Sequence, residues 1–278
     1  MKFKFSKVVE EDDESKKEKF DKRWNWTKYI FGIYTLGFEN KNNKKINSKF
    51  LSIFCFLAIV IFIISMIASV SILSYGIYHK INTPANLTIS GLGMVLPSLN
   101  KDTFKDTLND SISASNGIVP STNRRDFIFL PILLLFPIIF ILLIVHEFGH
   151  YISCRKFGLK VDEYGIGALS IFCIPIVPLG YVKPNEKELN ETKKYNYLSM
   201  VSAGVFMNFI FSFIFYGLLL LFPSKFLAYL FLLNLGILIF NALPLGILDG
   251  GLFVKKLNKT VSFISSIIIL ILFGIIII

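Results

Sequence analysis

The chain contains little cysteine, and its cysteines are poorly spaced for a cross-linked framework. Three of its 278 residues are cysteine. An odd number of widely separated cysteines forms neither a disulfide framework nor a CxxC metal site. We therefore interpret Cys55, Cys154 and Cys173 as small apolar residues packed inside the protein.

Charged side chains are absent from several long stretches of a chain that is 54% hydrophobic, with a mean hydropathy of +0.62. Each stretch reaches the roughly 18 residues that a helix needs to cross hydrocarbon, and none shows the alternation of barrel strands. A cleaved signal peptide is not expected, because residues 1–49 are strongly charged. The pattern predicts an all-α polytopic membrane protein with about five transmembrane helices, over residues 50–78, 127–145, 195–224, 226–248 and 260–278.

Positive charge is abundant, with a formal net charge of +10, but it is unevenly distributed. If the N-terminus is cytosolic, the cytosolic segments 1–49, 154–194 and 249–259 hold 23 of the 29 Lys and Arg residues. This bias follows the positive-inside rule and favours contact with anionic lipid. We expect no nucleic-acid binding, because no basic and aromatic recognition motif is present.

Two segments outside the predicted helices have β character. Residues 163–184 are apolar and β-branched, and Pro175 and Pro178 interrupt them. A segment of this length that prolines interrupt cannot cross the membrane as a helix. It therefore predicts extended strands that form a short membrane-associated β segment after the second span. The aromatic residues 24–38 predict either an interfacial segment or a short strand.

Histidine is also scarce, and two of the three histidines occur in one motif. The sequence VHEFGH places His146 and His150 four residues apart, with Glu147 between them. On a helix this spacing brings both imidazoles to one face, where they can bind one metal ion. Glu147 is then placed to accept a proton from a water molecule at the metal.

Catalytic zinc needs a third protein ligand and an open position. Positions where a longer metalloprotease motif would continue hold Ser153 and Lys156. Asp249, in NALPLGILDGG, is the stronger candidate. It ends the fourth predicted span, on the same membrane face as His150, and ionisable groups at membrane depth are costly unless they have a function.

These motifs together resemble the site-2 protease family of intramembrane zinc metalloproteases. HExxH ends one span, and the element NxxPxxxLDG ends a later one. Between them, SAGVFMNF is similar to the family's GxxxN element. The linker after the second span is too short for a PDZ domain, so the resemblance is to compact members without one. The matching positions of the second and third elements are Gly204, Asn208, Asn241, Pro244, Leu248, Asp249 and Gly250.

The resemblance covers about residues 127–252, and the hydropathy and charge pattern predicts the organisation of the flanking segments. The segments are a charged cytosolic N-terminal segment (1–49), a first span (50–78), an external loop (79–126), a metalloprotease core with three spans and the re-entrant β segment (127–252), and a C-terminal span (253–278).

The resemblance also implies a function. Zn²⁺ would be bound by His146, His150 and Asp249, Glu147 would be the catalytic base, and Asn208 and Asn241 would orient substrate or stabilise the oxyanion. Substrates would be transmembrane proteins, cleaved in or near their membrane segments during regulated intramembrane proteolysis. We expect a multi-pass protein of the cell membrane, with its N-terminus and active site toward the cytosol.

Three alternatives remain open at this stage. One is a membrane-embedded zincin with a cytosol-facing site and a third ligand such as Glu186 or Glu188. Another is a non-catalytic membrane protein that binds or transports metal. The asparagines have an alternative of their own, because Asn208 and Asn241 could instead form hydrogen bonds that hold the spans together.

Overall fold

The computed structural model describes residues 31–39, 44–82, 94–98, 127–171, 174–246 and 248–277. Cys173, residues 24–30 and most of the predicted external loop lie outside this part of the chain. The strands are β1 (Phe31–Glu39), β2 (Met94–Ser98), β3 (Phe127–Pro131), β4 (Val161–Ile171) and β5 (Ile174–Pro184). The helices are α1 (Lys49–Asn82), α2 (Ile132–Phe157), α3 (Glu186–Glu191), α4 (Lys194–Leu221), α5 (Lys225–Ala242), α6 (Asp249–Leu257) and α7 (Lys259–Ile277).

Most of the described chain is helical, as expected of a polytopic membrane protein. Three of the described helices contain stretches long and apolar enough to cross a membrane, at Lys49–Tyr78, Leu135–Phe157 and Lys194–Leu221. Two shorter apolar stretches follow, at Phe226–Ala242 and Lys259–Gly274. The predicted count of five spans therefore stays a prediction for the last two.

Two predicted spans begin or end differently in the structure, and a proline explains each difference. Residues 127–131 form β3, so the second helix begins at Ile132 rather than at residue 127. The helix of the fourth predicted span, α5, ends at Ala242, and Leu243 is extended with φ −64° and ψ 138°. A residue before proline disfavours the helical region, and Pro131 and Pro244 impose that restriction on the residues before them.

The chain divides into two units, residues 1–55 with 143–204 and residues 56–142 with 205–278. In the first unit, β1, β4 and β5 form an antiparallel sheet with β4 in the centre. The extended strands predicted for residues 163–184 are confirmed, and residues 31–39 form a strand as well. β5 is therefore an edge strand of the described sheet.

The turn from α2 into the sheet is a glycine C-cap. Gly158 follows the helix with φ +73°, a left-handed conformation that glycine adopts without steric cost. The amide of Leu159 donates to the carbonyl of Cys154 at 2.9 Å, the long bond of a Schellman motif. This cap ends α2 two turns after His150 and directs the chain into β4.

The second unit contains two apolar clusters. One brings together residues of α2, α4 and α5 around Ile138, Leu142 and Phe215. The other joins the C-terminal half of α1 to Leu243 and to Ile269 of α7. Burial of such side chains is worth about 1.5–3 kcal/mol each in water. The loop after α5 is thus anchored through Leu243, six residues before Asp249.

Candidate metal centre

The two histidines of the HExxH motif face each other on α2. His146 is buried, and His150 is half-buried. Their Nε2 atoms lie 3.1 Å apart, with the rings inclined at 75°. Two Zn–N bonds of tetrahedral geometry would hold these atoms about 3.3 Å apart. The helical arrangement predicted from the four-residue spacing is therefore present, and its separation suits one shared metal ion.

The backbone of α4 fixes the tautomer of His150. Its Nδ1 atom lies 2.8 Å from the carbonyl oxygen of Met200, an acceptor that requires a proton on Nδ1. In the neutral ring the Nε2 lone pair is then available, and it points toward Nε2 of His146. A second hydrogen bond of this kind orients most metal-binding histidines in proteins.

Gly204 explains how α4 packs so close to the histidines. A Cβ atom built at this position would lie 2.6 Å from Nε2 of His146, and it would overlap Nε2 of His150 as well. Real Cβ contacts this short essentially do not occur. Gly204 is the first position of the GxxxN element, and its missing side chain leaves space at the two nitrogens.

Glu147 lies beside the sheet. It is half-buried, and a Cβ built at Gly180 of β5 would lie 2.5 Å from its Cγ and 3.1 Å from its Oε1. The edge strand therefore passes directly against the carboxylate. Sequence reasoning did not single out Gly180, although a glycine inside a strand often marks such a close approach.

Asp249 is the first residue of α6, rather than the last of the fourth span as predicted. The reason is the break at Pro244, after which a new helix begins. Asp249 remains the predicted third ligand, and with His146 and His150 it makes up the metal-binding group that the sequence predicts.

The donor set of this group suits zinc. Two imidazole nitrogens and one carboxylate oxygen are borderline-hard ligands of the kind found in catalytic zinc sites, where three protein ligands leave a fourth position open. The 3.1 Å separation of the two nitrogens agrees with their sharing one ion. The cysteines are not part of the group: Cys55 and Cys154 are buried thiols, as expected.

Asn208 lies in a hydrogen-bonded cluster between α4 and α5. Its Nδ2 donates to Oδ1 of Asn234 at 2.7 Å, and Nδ2 of Asn234 donates to the Asn208 carbonyl at 2.6 Å. Asn234 also donates to Oγ of Ser212 at 2.8 Å. Asn208 and Asn234 are fully buried. These contacts favour the alternative that Asn208 holds the helices together.

Asn241, the other predicted orienting residue, is half-buried near the end of α5. Its Nδ2 donates to the carbonyl of Ile237, one turn back on the same helix, at 3.0 Å. Sequence reasoning missed Asn234, the partner of Asn208. The available signal was a lone asparagine inside an apolar run, the same signal that had drawn attention to Asn208.

Comparison with known protein families finds a match for the segment that contains the two motif histidines. Residues 134–224 match the profile of Peptidase family M50. This part of the chain is thus similar to peptidase family M50. The resemblance to the site-2 protease family is thereby confirmed. Asp249 lies beyond the residues that match the M50 profile, so its assignment depends on the resemblance of the element that contains it.

Two curated proteins of Helicobacter pylori are similar to part of the chain, and both are named "Putative zinc metalloprotease". The strain J99 protein is 34% identical over 135 residues, covering 39% of this chain and 37% of the relative. The strain 26695 protein is 31% identical over 145 residues, covering 44% and 40%. The chain thus aligns with about two-fifths of the length of these relatives. No solved structure matches the chain.

Proposed function

We propose that this protein is an intramembrane zinc metalloprotease that hydrolyses peptide bonds in or near transmembrane segments of other membrane proteins. The observation that carries the proposal is the pair of His146 and His150, whose Nε2 atoms lie 3.1 Å apart, with Glu147 on the same helix. The M50 match supports the same activity. We assign His146, His150 and Asp249 as zinc ligands and Glu147 as the catalytic base.

The reaction uses each of these side chains in a defined way. Bound zinc would polarise the scissile carbonyl and lower the pKa of a water molecule. Glu147 accepts a proton from the attacking water and then delivers it to the leaving amine, so one carboxylate serves both steps. His150 keeps its proton on Nδ1, because Nδ1–H donates a hydrogen bond to the Met200 carbonyl, and so presents Nε2 as a ligand.

A substrate helix must unwind before its peptide bonds become accessible, and its freed backbone groups then need partners in an apolar setting. The edge strand β5 offers such partners by strand addition. Because Gly180 of β5 lies against Glu147, a substrate strand paired there would pass next to the catalytic carboxylate. This arrangement supports the extended segment as the place where substrate binds.

A cytosol-facing zincin with a glutamate ligand receives less support. Oε2 of Glu188 accepts the Lys160 amide at 2.6 Å, and Glu186 is exposed at the start of α3. Asp249, in the element that resembles NxxPxxxLDG, is therefore the third ligand that we propose. A non-catalytic metal binder would have no need for a carboxylate at position 147 beside the ligands.

We place the protein in the cell membrane as a multi-pass protein, with its N-terminus and active site toward the cytosol. The apolar helices and the concentration of Lys and Arg in the expected cytosolic segments support this location and orientation. Its partners are transmembrane protein substrates and the surrounding lipid, and nucleic acid is not among them. Regulated intramembrane proteolysis is the process that we expect it to serve.

The test is cleavage of a tagged transmembrane substrate by zinc-loaded protein in liposomes. We expect the wild type to cleave it, and Glu147→Gln to bind zinc equally but to lose at least about 100-fold in rate, the usual contribution of a general base. Zinc bound normally without cleavage of any substrate by the wild type would contradict the protease and favour the non-catalytic binder.

A further inference from the structure

The loop that precedes Asp249 is non-helical backbone between α5 and α6. Its described residues are 243–246 and 248, and we call it the Asp249 loop. Outside a helix its amides and carbonyls lack regular partners, and such backbone is tolerated at membrane depth only where protein groups satisfy it. The partners of this loop therefore determine where the first residue of α6 lies.

Backbone carbonyls of the loop accept the amides of Leu245 and Leu248 at 2.8 Å, and three serines of α7 supply further partners. The Gly246 amide donates to Oγ of Ser266 at 3.0 Å, and Ser266 in turn donates to the Ser262 carbonyl at 2.7 Å. Oγ of Ser265 lies 3.1 Å from the Pro244 carbonyl and 3.0 Å from the Ser262 carbonyl, and its single proton can be donated to either. The loop is held at two points along its length.

The third serine contacts the start of α6 itself. Oγ of Ser262 donates to the carbonyl of Gly251 at 3.2 Å, two residues after Asp249. Ser262, Ser265 and Ser266 share one face of α7, because residues three and four apart are neighbours on a helix. This single face therefore contacts the loop before Asp249 and the helical turn after it.

Tight glycine contacts connect the loop to α6. A Cβ at Gly250 would lie 2.5 Å from the Ala242 carbonyl oxygen, and one at Gly251 would lie 2.6 Å from Cα of Gly246. The first turn of α6 consequently packs directly on the loop backbone. A shift of the loop relative to α7 would move Asp249 with it.

We infer that Ser262, Ser265 and Ser266 are positioning residues that set the Asp249 carboxylate for metal binding. The inference rests on the proposed function, since it takes Asp249 as a ligand. Ser74 of α1, by comparison, donates to the Val70 carbonyl of its own helix at 2.8 Å. The α7 serines differ because they bond to the segment that carries a proposed ligand.

The experiment measures zinc affinity by chelator competition and the visible spectrum of the Co²⁺-substituted protein, using the full chain in detergent. The variants are Ser265→Ala with Ser266→Ala, Ser266→Ala alone, and Ser266→Thr. Ser74→Ala is the control, and Asp249→Ala reports on the proposed function. Thermal unfolding of each metal-free variant tests whether it folds.

We expect the double alanine variant to bind zinc at least about tenfold more weakly, as is usual when groups that orient a ligand are removed, with an altered Co²⁺ spectrum. Ser266→Thr should restore wild-type affinity, because threonine in a helix also bonds to the carbonyl three or four residues back. Ser74→Ala should be unchanged. If the double variant fails to fold, the single variant and its threonine counterpart decide.

Wild-type affinity and spectrum in the serine-to-alanine variants, with loss of zinc in Asp249→Ala, would overturn the positioning role and leave the proposed function intact. Wild-type affinity in Asp249→Ala would instead overturn the ligand assignment, and the positioning role with it. Weak binding that Ser266→Thr fails to restore would also count against the hydroxyl as the cause.

Discussion

Replacing Gly204 by alanine should abolish zinc binding without unfolding the protein. The added Cβ would lie 2.6 Å from Nε2 of His146 and still closer to Nε2 of His150, whereas ordinary contact begins at 3.4 Å. The added Cβ would thus lie 0.8 Å closer to Nε2 of His146 than ordinary van der Waals contact allows. Metal sites tolerate ligand displacements of only about 0.2 Å. Both nitrogens would have to move well beyond that limit.

The control is Gly217→Ala in the same helix, where an added Cβ meets nothing within 4 Å. Alanine there should stabilise α4 by about 0.5–1 kcal/mol, because glycine is the weaker helix former. At Gly204 the overpacking should cost about 1–3 kcal/mol, a loss that leaves many proteins folded. Comparing Gly204→Ala with Gly217→Ala therefore distinguishes a steric clash at the histidine nitrogens from a general effect of alanine in this helix.

The assay is zinc content and zinc affinity of the purified variants, with thermal unfolding as the measure of folding. We expect at least about 100-fold weaker binding in Gly204→Ala, the upper end of the range for groups that only orient ligands. Gly217→Ala should match the wild type. Equal zinc affinity in the two variants would refute the close packing of α4 on the histidine nitrogens.

Three further predictions concern the surroundings of the site. Gly180→Ala should displace Glu147 and lower turnover roughly 100-fold, as misplacement of a catalytic group by about 1 Å commonly does, while zinc content stays unchanged. Loss of zinc would mean that the strand also supports the metal ligands. Asn234→Ala should lower the free energy of unfolding by about 1–3 kcal/mol, measured by denaturant titration, because it leaves buried Asn208 groups unsatisfied; no loss would show that water replaces the amide. Substrates with helix-weakening residues should be cleaved faster than Leu-rich ones in a competition assay, and equal rates would contradict unwinding.

Local patterns predicted what depends on local geometry. The positions of His146 and His150 follow from the helical repeat alone, and the strand character of residues 163–184 follows from β-branched side chains and prolines. The start of α6 at Asp249 was harder to predict. Pro244 indicates that a helix ends, but the distance to the next helix depends on how the loop packs.

Contacts between distant residues could not be predicted in the same way. The strand β1 pairs with β4 more than 120 residues later, as in Phe31 opposite Ile171, so an aromatic segment left two readings open. Asn208 needed a buried partner, but the sequence could not show that Asn234 is that partner. Gly204 matched the GxxxN element, but the need for glycine there is visible only in the packing of α4 against both imidazoles.

The most direct test of the three-ligand site is the zinc content of purified wild type, Asp249→Ala and Glu186→Ala. Glu186 is a suitable control because it is an exposed carboxylate and the ligand that a cytosol-facing zincin could use. We predict about one zinc per chain in the wild type and in Glu186→Ala, and a sharp loss in Asp249→Ala, since catalytic zinc requires three protein ligands. Full zinc in Asp249→Ala, with loss in Glu186→Ala, would contradict the account.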